Sequence, residues 1–277
     1  MFIFLDKPSE GLLNFPAQIP YFNNSNLIKP QTMFSFFKKS EEKSKQNFSF
    51  IGTDIHSHLI PNIDDGCQDL QSSLTCLKHL QEMGFSKVVT TPHIMSGVYP
   101  NTPSIINEGL AVLRKALEAE RIDIQVEAAA EYKIDELFVE YLAADNLLTF
   151  GDKYILIELS FVAVPINLED IIFTLQTKGY KPILAHPERY RYWSDKLSQI
   201  ERLKSLGCLM QLNMMSLVGQ YGGLAKDVAH KLLNKNLIDF LGTDLHRPED
   251  IDILKKLLKN KDEMNKLIKV KPMNVVL

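Results

Sequence analysis

The chain has 277 residues, 45% of them hydrophobic and 23% charged, with a formal net charge of −3; this is room for one large α/β domain and leaves no basic excess for gripping a nucleic-acid backbone. The three cysteines, Cys67, Cys76 and Cys208, are odd in number and lack Cys-x-x-Cys spacing, so neither a disulfide framework nor a thiolate metal site is expected and a cytoplasmic setting is. No apolar stretch reaches the length of a membrane span, and Asp6 ends the short apolar start too early for a secretory signal.

Residues 1–50 are expected to form an irregular N-terminal extension, because 6–32 is rich in Pro, Asn and Ser without periodicity. The first strand-like run is Thr53-Asp54-Ile55-His56-Ser57-His58, and its two histidines at i and i+2 share one side of an extended backbone. Leu70, Leu74, Leu77 and Leu80 then predict a helix that Gly84 stops. The run from Val88 closes on His93, Thr102-Pro103 opens a helix through Glu120, and the run from Ile124 closes on Glu131. Glu158 interrupts Tyr154–Leu159, Asn167 opens a helix ending at Gly179, and Lys181–Ala185 closes on His186. Ser194 opens a helix reaching Gly207, Cys208–Asn213 forms a further strand, and residues 224–236 read as helix. The run from Leu237 carries Asp244 and His246 at its end, and Pro248 starts a helix over 248–268.

Seven strand-like runs thus alternate with helices, and six of them end in residues able to bind metal. A buried carboxylate or imidazole left unpaired costs several kcal/mol, roughly, so these strand ends need a common partner, and a shared metal cluster provides one. In a closed α/β barrel all strand C-termini meet on one face. The expected fold is therefore a distorted seven-stranded (β/α) barrel similar to a TIM barrel.

The ordered set His56-Ser57-His58, Asp64-Asp65-Gly66, Thr91-Pro92-His93, Glu131-Tyr132, Ile157-Glu158-Leu159, His186-Pro187-Glu188-Arg189-Tyr190 and Thr243-Asp244-Leu245-His246 resembles the polymerase and histidinol phosphatase superfamily. Within it, the chain is most similar to bacterial manganese-dependent tyrosine-protein phosphatases of capsule and exopolysaccharide loci. The resemblance spans 51–277 and implies three divalent ions, manganese first, with iron or zinc admissible. It assigns His56, His58, Glu131 and Asp244 to one ion, Glu131, Glu158 and His186 to a second, and Asp65, His93 and His246 to a third. Glu131 would bridge two ions, and Arg189 would hold the phosphoryl group. Catalysis would then rest on Arg189, Glu131 and Asp244. The implied partner is the phosphotyrosine-bearing tail of a bacterial tyrosine kinase, not a nucleic acid. One departure from the resemblance is visible: members of such families can carry a second phosphate-binding arginine several residues after the last histidine, whereas here Arg247 follows His246 directly.

A hard-to-borderline donor set of histidines and carboxylates suits such ions, and a metal cluster supplies what phosphate-ester hydrolysis needs. Taken singly, the residues have plainer readings: Glu158 as the buried partner of a lysine, Asp244 as a helix cap, Arg189 as a surface ion pair with Glu188 or Asp195. His79 and His230 fall inside predicted helices and are assigned no role in catalysis. Tyr99, Tyr132, Tyr190, Tyr192, Trp193 and Tyr221 follow strand ends and are candidates for an aromatic rim. Two competing functions are a phosphoesterase for a small monoester such as histidinol phosphate, and a non-catalytic scaffold stabilised by metal.

Overall fold

The computed structural model describes residues 46–277, so the expectation for 1–45 lies outside the described residues. Phe48 is fully buried and packs against Phe85 at 5.4 Å between ring centroids, so the packed core includes a residue ahead of position 51. Among the described residues there are nine short strands: β1 (Thr53–Asp54), β2 (Lys87–Thr90), β3 (His93–Ile94), β4 (Gln125–Ala128), β5 (Glu131–Lys133), β6 (Tyr154–Glu158), β7 (Lys181–Ala185), β8 (Leu209–Asn213) and β9 (Phe240–Gly242). They form two parallel sheets, ordered β1-β2-β4 and β3-β5-β6-β7-β8-β9. No closed barrel is formed by these ladders. Two of the expected strands are each split in two, one at Thr91-Pro92 and one at Ala129-Ala130; proline has no N–H to give a ladder. Single bonds carry the chain across the breaks, Thr91 N donating to Ser57 O (2.7 Å) and Glu131 N to Pro92 O (3.1 Å).

Alternation along the strands sorts side chains into two cores. Ile155 and Ile157 of β6, Met210 and Leu212 of β8 and Val88 of β2 face the helices, whereas Leu156, Val89, Ile183, Ala185 and Phe240 form a narrower cluster on the other face. Glu158 has the parity of Leu156, so the sheet points its carboxylate inward.

The helices are α1 (Leu70–Glu82), α2 (Pro103–Glu120), α3 (Glu136–Ala143), α4 (Leu168–Thr177), α5 (Leu197–Ser205), α6 (Gly223–Asn234), α7 (Ile251–Lys259) and α8 (Lys261–Val270). The Asp69 and Thr102 side chains accept from Ser72 N and Ile105 N, capping α1 and α2 as side-chain caps do. Three departures from the sequence reading have local causes. α3 follows a cap by Asp135, whose carboxylate accepts from Phe138 N. Ser194 ends a 3-10 turn (Arg191–Trp193), and α5 starts after Lys196 without a side-chain cap. The helix expected over 248–268 is a 3-10 turn (Pro248–Asp250) and two helices, because Asn260 adopts an extended conformation and caps α8 by accepting from Glu263 N. Among the described residues no helix is long and apolar enough to cross a membrane.

Candidate metal centre

The strand ends, the two strand breaks and the loop after β1 bring the sequence-selected residues into one chamber, which opens into a cavity of about 470 Å³. His56 and His58 follow β1, His93 begins β3, Glu131 begins β5, Glu158 ends β6, His186 follows β7, and Asp244 and His246 follow β9. Two of these turns are backbone-strained: His186 (φ +36°) and Asp244 (φ +54°) sit in the left-handed region, which costs a non-glycine residue energy that functional sites commonly store. Close approach explains two glycines. A Cβ at Gly66 would overlap the carbonyl oxygen of His58, and one at Gly242 would come within 2.7 Å of His56 Cβ.

Across the chamber, donor atoms face one another. His56 Nε2 lies 3.3 Å from both Glu131 Oε2 and His58 Nε2 and 3.2 Å from Asp244 Oδ1. His186 Nε2 is 3.0 Å from Glu131 Oε1 and 3.7 Å from Glu158 Oε1. Asp65 Oδ1 faces His93 Nε2 at 3.5 Å and His246 Nε2 at 3.7 Å. Two donors each about 2.1 Å from one ion, about 90–109° apart, are separated by roughly 3.0–3.4 Å. Many of the spacings match ligands arranged around cations.

Three groups meet the spacing for a metal: His58, Asp65, His93 and His246; His56, His58 and Asp244; and His56, Glu131 and His186. Glu158 stands apart, because its Oε2 accepts from Lys133 Nζ at 3.0 Å. A half-buried lysine partner for Glu158 and a place beside His186 therefore coexist. Charge and satisfaction point the same way. The Nδ1 atoms of His93 and His186 are buried without a well-directed hydrogen bond, although His93 Nδ1 lies 3.2 Å from Glu131 Oε2. Burial disfavours a charged imidazole at His56, yet Glu131 and Asp244 outweigh it and carry the group up to about 9. Burial, then the neighbouring Glu131, pushes Glu158 up to about 7. So dense a carboxylate cluster calls for cations, and the donors present fit divalent ones.

The surrounding residues fix this geometry. His58 Nδ1 donates to Asp64 Oδ2 (2.8 Å) and His56 Nδ1 to Gln211 Oε1 (2.9 Å), which turns both Nε2 atoms toward the chamber. Asp64 also accepts from His93 N (3.0 Å). Asp244 Oδ2 accepts from Asn213 Nδ2, Tyr221 OH and Arg189 Nη1 at 2.6, 2.9 and 2.9 Å. Gln211 and Asn213 thus bond directly to site residues. Arg189 is no surface salt bridge: its side chain is 24% exposed, and its guanidinium lies between the rings of Phe161 (4.9 Å) and Tyr221 (4.3 Å). Arg247 lies at the rim of the cavity with 68% of its side chain exposed, its Nε 3.6 Å from Asp250.

Of the six aromatic candidates, Tyr99 and Tyr221 line the cavity, Tyr99 stacked on His93 at 5.6 Å. Tyr132, Tyr190 and Trp193 are core residues, and the Tyr132 and Tyr190 hydroxyls accept from Leu148 N and Leu159 N. Tyr192 is tied to Ser160 O. The sequence reading missed Phe161, which stacks on His186 at 5.9 Å, and Lys133, whose Nζ lies 5.2 Å over the Phe161 ring. Phe161 sits in an apolar run that reads as buried, and Lys133 follows a predicted ligand without a motif of its own.

Parallel α/β sheets whose strand ends present a histidine–carboxylate chamber define a class of metal-centred hydrolytic proteins. The model of the CpsB/CapC family, described as capsular polysaccharide synthesis, matches residues 52–270. The chain belongs to that family. It is 37% identical over 194 residues to the tyrosine-protein phosphatase YwqE of Bacillus subtilis (strain 168), covering 70% of this chain and 76% of the relative. It is 26% identical over 201 residues to the tyrosine-protein phosphatase CpsB of Streptococcus pneumoniae, covering 70% and 82%. A crystal structure from work on these two proteins, described as unique metal-dependent tyrosine phosphatases, superposes with a TM-score of 0.67 at 32% identity, covering 80% of this chain and 94% of that one.

Proposed function

We propose that this chain is a metal-dependent protein-tyrosine phosphatase of the polymerase and histidinol phosphatase type, and that it removes phosphate from the tyrosine-bearing tail of a bacterial tyrosine kinase governing capsule or exopolysaccharide synthesis. The observation that carries this reading is the stacked Arg189 guanidinium set over the histidine–carboxylate chamber, in a family whose relatives are tyrosine phosphatases.

Three divalent ions, manganese by preference, would be held by His56, His58, Glu131 and Asp244, by Glu131, Glu158 and His186, and by Asp65, His93 and His246. When bound, such ions supply an activated water at neutral pH and offset phosphoryl charge. The protein's own groups do the rest. Arg189 spends one N–H on Asp244 and keeps its remaining donors for phosphoryl oxygens. Its two flanking rings fix the plane of the fork before substrate arrives. Tyr99, stacked on His93 by one face, keeps the other for a tyrosyl ring. Lys133 offsets Glu158. A phenol leaves with a pKa near 10, so phosphotyrosine needs less help from an acid than an alkyl phosphate does.

We also read the two sheets as one distorted seven-stranded barrel within a single domain beginning near residue 51, located in the cytoplasm. Supporting the barrel is a parallel bridge between Ser57 and Leu245, which links the chain after β1 to that after β9. The test of function is phosphate release by purified protein with Mn²⁺ from phosphotyrosine, phosphoserine and histidinol phosphate side by side. Preference for phosphotyrosine is expected; preference for histidinol phosphate, or no release from any of them, overturns the reading.

A further inference from the structure

Apart from histidines, three cationic side chains among the described residues line the chamber's cavity: Lys133, Arg189 and Arg247. Arg247 is the outlier, 68% exposed at the rim and turned to Asp250. The other two are built into the wall, with the Lys133 side chain 16% exposed and that of Arg189 24%. Lys133 stands two residues beyond Glu131 on β5, so alternation puts both on the inner face, while Tyr132 between them joins the core. The ladder sets Lys133 opposite Glu158 of β6.

What the fold imposes on Lys133 parallels what it imposes on Arg189. Each gives one N–H to a carboxylate of the chamber, Lys133 Nζ to Glu158 Oε2 (3.0 Å) and Arg189 Nη1 to Asp244 Oδ2 (2.9 Å). Each stands over the ring of Phe161, at 5.2 and 4.9 Å from its centroid, so one ring carries both charges. Lys133 Nζ also donates to Leu159 O (2.7 Å), and Leu159 is itself pinned by its N–H to Tyr190 OH (3.0 Å). An ammonium has three N–H donors and no acceptor. Two of them are spent on these fixed partners, which hold the group in place, and the third is left for what enters the cavity. Arg189 likewise keeps donors beyond the one given to Asp244. Spare donors from two anchored cations call for a ligand with acceptors in more than one direction, and the tetrahedral oxygens of a phosphoryl group provide them.

We propose that Lys133 is a second phosphoryl-binding residue, whose remaining N–H bonds one phosphoryl oxygen from the β5 side while Arg189, after β7, bonds another. Arg247 has no part in this grip. The proposal rests on the phosphotyrosine reading above and adds a substrate contact to it.

Inorganic phosphate is the probe, because calorimetry reads its binding to the Mn²⁺-loaded protein without turnover. Lys133→Met, of similar length but uncharged, should weaken phosphate by about ten- to hundredfold, the scale of one charge-assisted hydrogen bond, while elemental analysis finds as much bound Mn²⁺ as in wild type. Lys133→Gln, which keeps a donor for Glu158 without the charge, should do the same, so the result does not hang on the folding of one variant. Lys133→Arg keeps charge and donors and should stay within about fivefold of wild type, and Arg247→Met within about twofold, as an exposed charge should. In phosphotyrosine hydrolysis the Lys133→Met loss should fall mainly on KM, since the contact is made to bound substrate and transition state alike. Loss of Mn²⁺ from both uncharged variants would make Lys133 a holder of Glu158 alone and overturns the proposal. So does unchanged phosphate affinity, or a loss in Arg247→Met as large as in Lys133→Met. Phosphate binding that depends on Lys133 in a protein that hydrolyses none of the three esters would fail the phosphatase reading and leave this contact standing.

Discussion

Where the strands end, buried imidazoles and carboxylates face one another at 3.0–3.7 Å and two buried ring nitrogens make no hydrogen bond. Between β1 and β9, an equally buried polar cluster closes on itself. Asp54 accepts from Thr243 N (2.9 Å) and Thr243 Oγ1 (2.6 Å), and Asn274 accepts from Leu241 N (3.0 Å) while donating to Thr53 O (2.8 Å) and Leu241 O (2.7 Å). A buried polar group costs free energy unless it is paired. The closed cluster therefore needs nothing from outside, whereas the open one is complete only with a ligand. Burial alone does not separate structure from function; the balance of donors and acceptors does.

The largest expected effect comes from emptying the open cluster. Exhaustive chelation should abolish phosphotyrosine hydrolysis, and added Mn²⁺ should restore it. Glu131→Ala should lose both bound metal, measured by elemental analysis, and turnover, beyond rescue by Mn²⁺. Full activity with an empty site would sink the distinction. Next is Arg189. Because Arg189 Nη1 holds Asp244, Arg189→Ala should cut kcat/KM by about one to three orders of magnitude, the scale of a lost charge-assisted contact in the transition state. Arg189→Lys should recover part of that, since a point charge lacks the planar fork. Normal kinetics in Arg189→Ala would remove it from the site.

The closed cluster should answer in stability. Burial raises Asp54 to about 6, against the pull of its bonds to Thr243. An acid with a raised folded-state pKa binds its proton more tightly folded than unfolded, so its contribution falls as pH rises from about 4 to about 6, by roughly 3 kcal/mol. Urea unfolding of Asp54→Asn across that window should show a correspondingly smaller loss than wild type; equal slopes would refute the assignment. Asn274→Ala leaves Leu241 N and two carbonyls without their partner and should cost about 1–3 kcal/mol. That lowers Tm by about 2–4 °C per kcal/mol, with metal content unchanged. A loss of metal instead would mean that the two clusters act as one.

The open cluster was the more legible in sequence because most of its members end or interrupt a strand-like apolar run, where an acid or histidine stands out; Asp65, in the loop after β1, was legible only through the family resemblance. Its supports were less so. Gln211 and Asn213 were visible as polar strand-end residues, but only the fold shows that they reach His56 and Asp244. Phe161 was hidden because Leu159–Ile166 reads as a buried run, whereas Val162 is 89% exposed. Asn274 carries no local signal at all, since both its partners lie on strands far away in sequence. The expectation of seven strands counted two of them as unbroken, which the Thr91-Pro92 and Ala129-Ala130 steps interrupt to give nine.

The smallest effect belongs to the two histidines outside both clusters. His79 Nδ1 pairs with Glu82 Oε2 at 2.9 Å on the surface of α1, and His230 Nε2 with Glu263 Oε2 at 3.0 Å between α6 and α8. Glu263 is buried but keeps Lys266 Nζ at 3.1 Å, so removing His230 does not orphan it. An exposed pair such as His79–Glu82 contributes about 0–1 kcal/mol. His79→Ala and His230→Ala should therefore keep full metal content and turnover within a few-fold of wild type, with His79→Ala the nearer to neutral. Should His230→Ala prove as damaging to turnover as Glu131→Ala, the rule that open donor balance marks the functional histidines would fail, since this one has its partner.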